Sequence, residues 1–150
     1  MQPRFTHRRL VQAALVGAAL SCARDAAGAE PITQPGSPGP GGFIARAFDM
    51  RALAEKSGDQ PYGAVVARDG RIIGQAPSRV VSANDPTAHA EMEAIRDAAR
   101  RTGERDLRGA VLYSSSRPCP MCEAAAYWAG IAGMVHGRDQ TDAGAPRLAR

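Results

Sequence analysis

The chain is 150 residues long, carries a formal net charge of +4 and has a single lysine, Lys56, among many alanines and arginines. That length holds one domain with room for a buried core, while aromatic side chains, at 5%, are too sparse for a base-stacking nucleic-acid platform. The basic surplus lies in residues 1–29, where Arg4, Arg8, Arg9 and Arg24 face only Asp25, so the remainder is nearly neutral and lacks the basic stripe of a nucleic-acid binder.

Residues 1–29 have the layout of an export signal peptide. A charged start (Arg4, His7, Arg8, Arg9) leads into an apolar run from Leu10 to Leu20, then small residues ending Ala27-Gly28-Ala29, where cleavage is expected. The adjacent Arg8-Arg9 fits a twin-arginine signal as well as a general secretory one, and either route implies an exported, periplasmic protein. The run would rise only about 16 Å as a helix, against a ~30 Å hydrocarbon layer, so no transmembrane anchor is expected. Cys22 is a weaker candidate for lipidation, because Ala19 stands where a larger aliphatic residue belongs.

Residues 30–42 read as a Pro/Gly-rich linker: eight of the twelve residues from 31 to 42 are Pro or Gly. The folded domain is expected over 43–150. Phe43, Ala47, Met50 and Ala54 recur at spacings of three and four, which predicts an amphipathic helix from Phe43 to Lys56. Two strands, 62–68 and 71–76, flank Asp69-Gly70, a dipeptide suited to a two-residue hairpin turn. Asp85-Pro86 reads as a cap and first helical residue, opening a helix to about Arg101 with Met92, Ile95 and Ala99 inward. A buried strand at 110–115, a helix from Cys119 to Ala129 and a short strand from Gly133 to His136 follow. The order α-β-β-α-β-α-β implies an α/β sandwich.

Two fragments carry chemistry: His89-Ala90-Glu91, and Pro118-Cys119-Pro120-Met121-Cys122. Cysteines three apart at a helix start face the same way, and the positive helix end favours their thiolates. With His89 near the start of the preceding helix, two sulfurs and one nitrogen suit zinc. Structural zinc normally takes four protein ligands, whereas three leave a position for water. His136 could close the tetrahedron instead. Glu91, two residues from His89, could accept a proton from the water, or be a solvated helix carboxylate like Glu93. A disulfide or redox pair is the other reading of the cysteines, but no thioredoxin-like order surrounds them and it leaves His-x-Glu unexplained.

The segments NDPTAHAEMEAIR (84–96) and RPCPMCEAAAYWA (117–129) resemble the zinc-dependent cytidine/deoxycytidylate deaminase superfamily. Within it they are most similar to bacterial guanine deaminases, by Asn84-Asp85-Pro86-Thr87 and the Tyr127-Trp128 pair, and then to tRNA adenosine deaminases. The resemblance spans about residues 43–145. It implies a three-layer α/β/α sandwich of the cytidine deaminase type, with Zn2+ on His89, Cys119 and Cys122. It further implies a hydrolytic deaminase of a nucleobase or nucleoside, a guanine-like purine favoured. Metal-activated water would attack the ring carbon bearing the amino group, Glu91 would carry protons as the catalytic residue, and ammonia would leave. The Ala90 N–H would bind the base and Trp128 would wall the pocket, or else simply pack in the core. A homodimer is implied as well.

Three departures qualify that expectation. Ser78 stands where the family usually carries a base-reading Asn, eleven residues before the zinc histidine. Arg117 replaces the Glu common before Pro-Cys. The C-terminus is shorter than the family's, since relatives continue for several tens of residues beyond the equivalent of Arg150. A non-catalytic zinc-binding remnant is therefore the alternative reading. A tRNA adenosine deaminase ranks lower, because the leader and the near-neutral domain point to a small-molecule substrate rather than nucleic acid.

Overall fold

The computed structural model describes residues 31–148. The expected signal peptide, with Arg8-Arg9 and Cys22, lies outside the described residues. Helix α1 (Pro40–Lys56) is followed by strands β1 (Gly63–Arg68) and β2 (Arg71–Pro77), helix α2 (Ala90–Thr102) and strand β3 (Val111–Ser114). Helix α3 (Pro120–Trp128), then strands β4 (Gly133–His136) and β5 (Thr141–Gly144), complete the order. The strands form one sheet in the order β2-β1-β3-β4-β5, antiparallel except for the parallel β3–β4 pair. No helix among the described residues is long and apolar enough to cross a membrane.

Alternation along the strands sorts the core into two layers, as period-2 side chains must. Val65, Ala67 and Tyr113 pack with Phe43, Ile44 and Met50 of α1, while Ala64, Val66 and Leu112 face Ala90, Ala94 and Ala126 of α2 and α3. The expected three-layer α/β/α sandwich is therefore present. Two glycines let the helices come close: a Cβ on Gly63 would lie 2.2 Å from the Ala47 carbonyl of α1, and one on Gly74 would lie 2.5 Å from the Ala98 nitrogen of α2. The Asp69-Gly70 hairpin forms as expected, with φ of 51° and 73°, the two left-handed residues that a type I′ turn requires.

Four expectations are corrected. The Pro/Gly segment is not wholly a tether: α1 starts at Pro40, where a first-turn proline loses no intrahelical bond, and Ile32 packs on the α1-side core. Gln34 also hydrogen-bonds both the N–H and the carbonyl of Ile72, each at 2.8 Å, covering part of the exposed edge of β2. Second, α2 begins at Ala90 rather than beside Asp85. The Asp85 carboxylate turns onto Thr87, accepting from its N–H and its hydroxyl, both at 2.7 Å, and so caps a local turn instead. Third, the residues of α2 buried deepest are Ala90, Glu91, Ala94, Asp97 and Ala98, with Met92, Ile95 and Ala99 only partly covered. Fourth, β5 was not expected, because Thr-Asp-Ala-Gly carries no apolar alternation; pairing with β4 alone defines it.

Candidate metal centre

The register places several chain reversals at one end of the sheet. Gly63 pairs with Pro77, and Ser114 pairs with both Ala64 and His136. The chain leaves β3 there and enters α3 through Pro118-Cys119. Both helices on this face begin alike. His89 is the N-cap of α2 and Cys119 the N-cap of α3, each with extended backbone and neither using its side chain to cap the helix. The ligand-type side chains are thus released from their helices at the point where two positive helix ends converge. Glu91 follows as the second residue of α2 and Cys122 as the third of α3.

The donor atoms of His89, Cys119 and Cys122 all lie within 4.8 Å of one another. His89 Nδ1 is 3.7 Å from each sulfur, and the sulfurs are 3.6 Å apart. Tetrahedral zinc with ordinary Zn–S and Zn–N bonds would separate its ligands by about 3.8 Å (S to S) and about 3.6 Å (S to N). The cluster has those dimensions without adjustment, and both cysteines are free thiols. His136 is not part of the cluster; burial and the nearby charge of Arg117 lower its pKa. Among the described residues the candidate cluster thus has three donors, and His136 is not a fourth.

Burial governs the ionisation of the enclosed groups at the cluster. Burial pushes the Cys122 thiol well above its ordinary value, reinforced by the charges of Glu91 and Cys119 and opposed by a hydrogen bond from the Cys119 backbone. Glu91 is 5% exposed, and its Oε2 lies 3.6 Å from Cys122 Sγ. Burial raises its pKa too, although its own backbone N–H and the charge of His89 oppose the shift. It is not a solvated carboxylate: Glu93, two residues on, instead takes the Arg96 guanidinium in an ion pair.

The substrate-side expectations fare unequally. Ala90 is fully buried at the head of α2. Ser78, just past the end of β2, is 2% exposed and donates its hydroxyl to Asp59 Oδ1 at 2.9 Å. Trp128 is 75% exposed, which removes core packing as its role. It meets Tyr127 edge-on, with ring centroids 5.5 Å apart, and the pair lines an open depression with Arg105, Asp106, Arg108 and Gly130. Arg117 is exposed on the approach to Cys119. Sequence reasoning missed Asp59, since an acid between Gly58 and Gln60 reads as an ordinary turn residue and no pattern marks it.

Residues 42–138 match the model of the cytidine and deoxycytidylate deaminase zinc-binding region. The chain belongs to this deaminase family. It is 41% identical over 102 residues to the guanine deaminase of Bacillus subtilis (strain 168), covering 67% of this chain and 65% of that protein. It is 44% identical over 83 residues to the tRNA-specific adenosine deaminase of Aquifex aeolicus (strain VF5), covering 55% of each. The X-ray structure of Bacillus subtilis guanine deaminase superposes with a TM-score of 0.61 at 41% identity, over 63% of this chain and 61% of that one. The chain thus spans between about half and two thirds of the length of these two curated relatives.

Proposed function

We propose that this protein is a zinc-dependent hydrolytic deaminase of a free nucleobase or nucleoside, with a guanine-like purine favoured. The observation that carries this reading is Glu91: a carboxylate buried against a cluster of three donors, where a purely structural metal would have no use for it. His89, Cys119 and Cys122 would hold zinc, which would supply acidification of a water molecule. Glu91, on the first turn of α2, would carry two protons in turn: the one lost as water adds to the ring carbon goes to a ring nitrogen, and the one lost as the added hydroxyl becomes the product carbonyl goes to the amine, which leaves as ammonia. Burial raises its pKa, which makes it a better proton acceptor than an exposed carboxylate. The N–H of Ala90 is suited to hold an acceptor on the base edge. Ser78 has its hydroxyl proton committed to Asp59, so toward a base its oxygen offers only an acceptor.

The same commitment favours the second reading, a non-catalytic zinc-binding domain, since fewer groups remain to orient a base than an Asn would supply. The exposed Tyr127 and Trp128, at 46% and 75%, support a homodimer that covers them; a monomeric mass by light scattering would oppose it. The signal-like leader supports action outside the cytoplasm, on small molecules rather than tRNA. The deciding experiment is ammonia release by the zinc-loaded full chain on guanine, cytosine, adenine and their nucleosides, with Glu91→Gln alongside. Turnover that disappears in the variant supports the deaminase; zinc retained without turnover on any of them supports the second reading.

A further inference from the structure

The loop that delivers His89 to the cluster has little packing to hold it. From Val81 to Thr87 every residue except Asp85 is exposed. Internal hydrogen bonds make it a unit: Arg79 N–H donates to the Ala88 carbonyl at 3.0 Å, Ala83 N–H to Arg79 at 2.9 Å, and Asp85 N–H to Val80 at 3.1 Å. These bonds set the loop's shape but not its place on the domain. The side-chain bonds that attach it converge on one carboxylate. Asp59 Oδ1 accepts from the Ser78 hydroxyl at 2.9 Å, and Oδ2 accepts from the Ser82 N–H at 2.9 Å. Asp59 is itself fixed to the end of α1, its N–H donating to the Ala54 carbonyl at 2.9 Å, and its carboxylate also takes the Gln60 N–H at 2.8 Å. One buried side chain therefore spans α1, the end of β2 and the loop that leads to the metal histidine.

Asp59 is 8% exposed, and no ion pair to it appears among the described residues. Its charge is held by neutral donors from three separate segments, Gln60, Ser78 and Ser82. Only the carboxylate has the lone pairs to grip both ends of this loop while keeping its own turn.

We propose that Asp59 is a positioning residue for the metal centre. Through Ser78 and Ser82 it fixes where the 79–88 loop leaves the sheet, and so where His89 meets Cys119 and Cys122. The test is zinc affinity of the full-length protein by chelator competition, at a temperature where circular dichroism shows every variant folded. Asp59→Asn keeps the size but removes one of the two acceptor oxygens. It should weaken zinc about tenfold or more, the scale seen when a residue supporting a metal ligand is lost. Ser78→Ala, which removes one bond of the three, should weaken zinc less. Phe43→Leu, on the opposite face of the sheet, supplies a variant of lowered thermal stability whose zinc affinity should stay within about twofold. If Asp59→Asn melts earlier but binds zinc as the parent does, the residue is a structural stake only and the proposal fails. If Asp59→Asn does not fold, Ser78→Ala decides: weaker zinc at an unchanged melting temperature supports the proposal, and unchanged zinc overturns it. None of these readouts requires turnover, so the deaminase reading stands or falls separately.

Discussion

On the α1 face of the sheet the core is built from large side chains, Phe43, Ile44, Met50, Ile72 and Tyr113. On the α2 and α3 face it is built mostly from small ones, among them Ala64, Ala90, Ala94, Ala98 and Ala126. Large side chains fill volume and can adjust their rotamers when a neighbour changes. Small ones bring helix backbone against strand backbone, where little adjustment is available. The metal cluster sits on the second face, at the first turns of α2 and α3. The bulky face has a close approach of its own, Gly63 against α1, so the faces differ in how their volume is filled and in which of them carries the cluster.

The largest effect expected to sharpen this contrast lies at the site itself. Glu91→Gln should retain zinc by metal analysis and lower turnover about 10²–10⁴-fold, the usual worth of a positioned proton carrier. Turnover within tenfold of the parent would mean that another group moves the proton. On the bulky face, Phe43→Ala removes a ring that is 4% exposed and packs at a tilt against Tyr113, with centroids 5.0 Å apart. It should cost about 3–5 kcal/mol of unfolding free energy in denaturant titration while leaving zinc affinity alone. If zinc affinity fell with stability, the two faces would not be separable. Gly74→Ala probes the other face. The added Cβ would lie 2.5 Å from the Ala98 nitrogen and 2.6 Å from the Ala94 carbonyl oxygen, both backbone, so α2 must move. The loss of stability should be smaller, about 1–3 kcal/mol, but it should come with weaker zinc binding.

Much of this was legible in the sequence, for identifiable reasons. The candidate zinc donors and the carboxylate of Glu91 beside them are legible as a cluster because metal chemistry allows few residue types and spacings, and both fragments sit at helix starts. The inward face of α1 was readable because Phe43, Ala47, Met50 and Ala54 repeat with the helical period, and all four are buried. The inward face of α2 was misjudged because hydrophobicity favours Met92 and Ile95, whereas close packing against Gly74 favours the alanines. Strand β5 exists through its partner rather than its composition. Asp59 was invisible because its importance depends on Ser78 and Ser82, which come near it only once the sheet has formed.

Asp59 is also where the contrast between the faces becomes least sharp, since it hangs from the end of α1 yet reaches the loop that feeds the metal. Burial alone would raise its pKa, but the bonds from Ser82, Gln60 and Ser78 outweigh burial and hold the carboxyl well below its ordinary value. A carboxyl depressed in the folded state contributes stability that is complete above its unfolded pKa, about 3.9, and is lost as pH falls through that value toward the folded one. Denaturant midpoints of the zinc-free protein should therefore drop below about pH 4, and Asp59→Asn should flatten the drop by the share this group contributes. The effect is the smallest of the four, because other carboxylates titrate in the same range. Equal slopes for parent and variant would mean that Asp59 is no better held in the folded protein than in the unfolded chain. The bonds joining α1 to the loop would then contribute nothing to stability, and the two faces would be as separate as their packing implies.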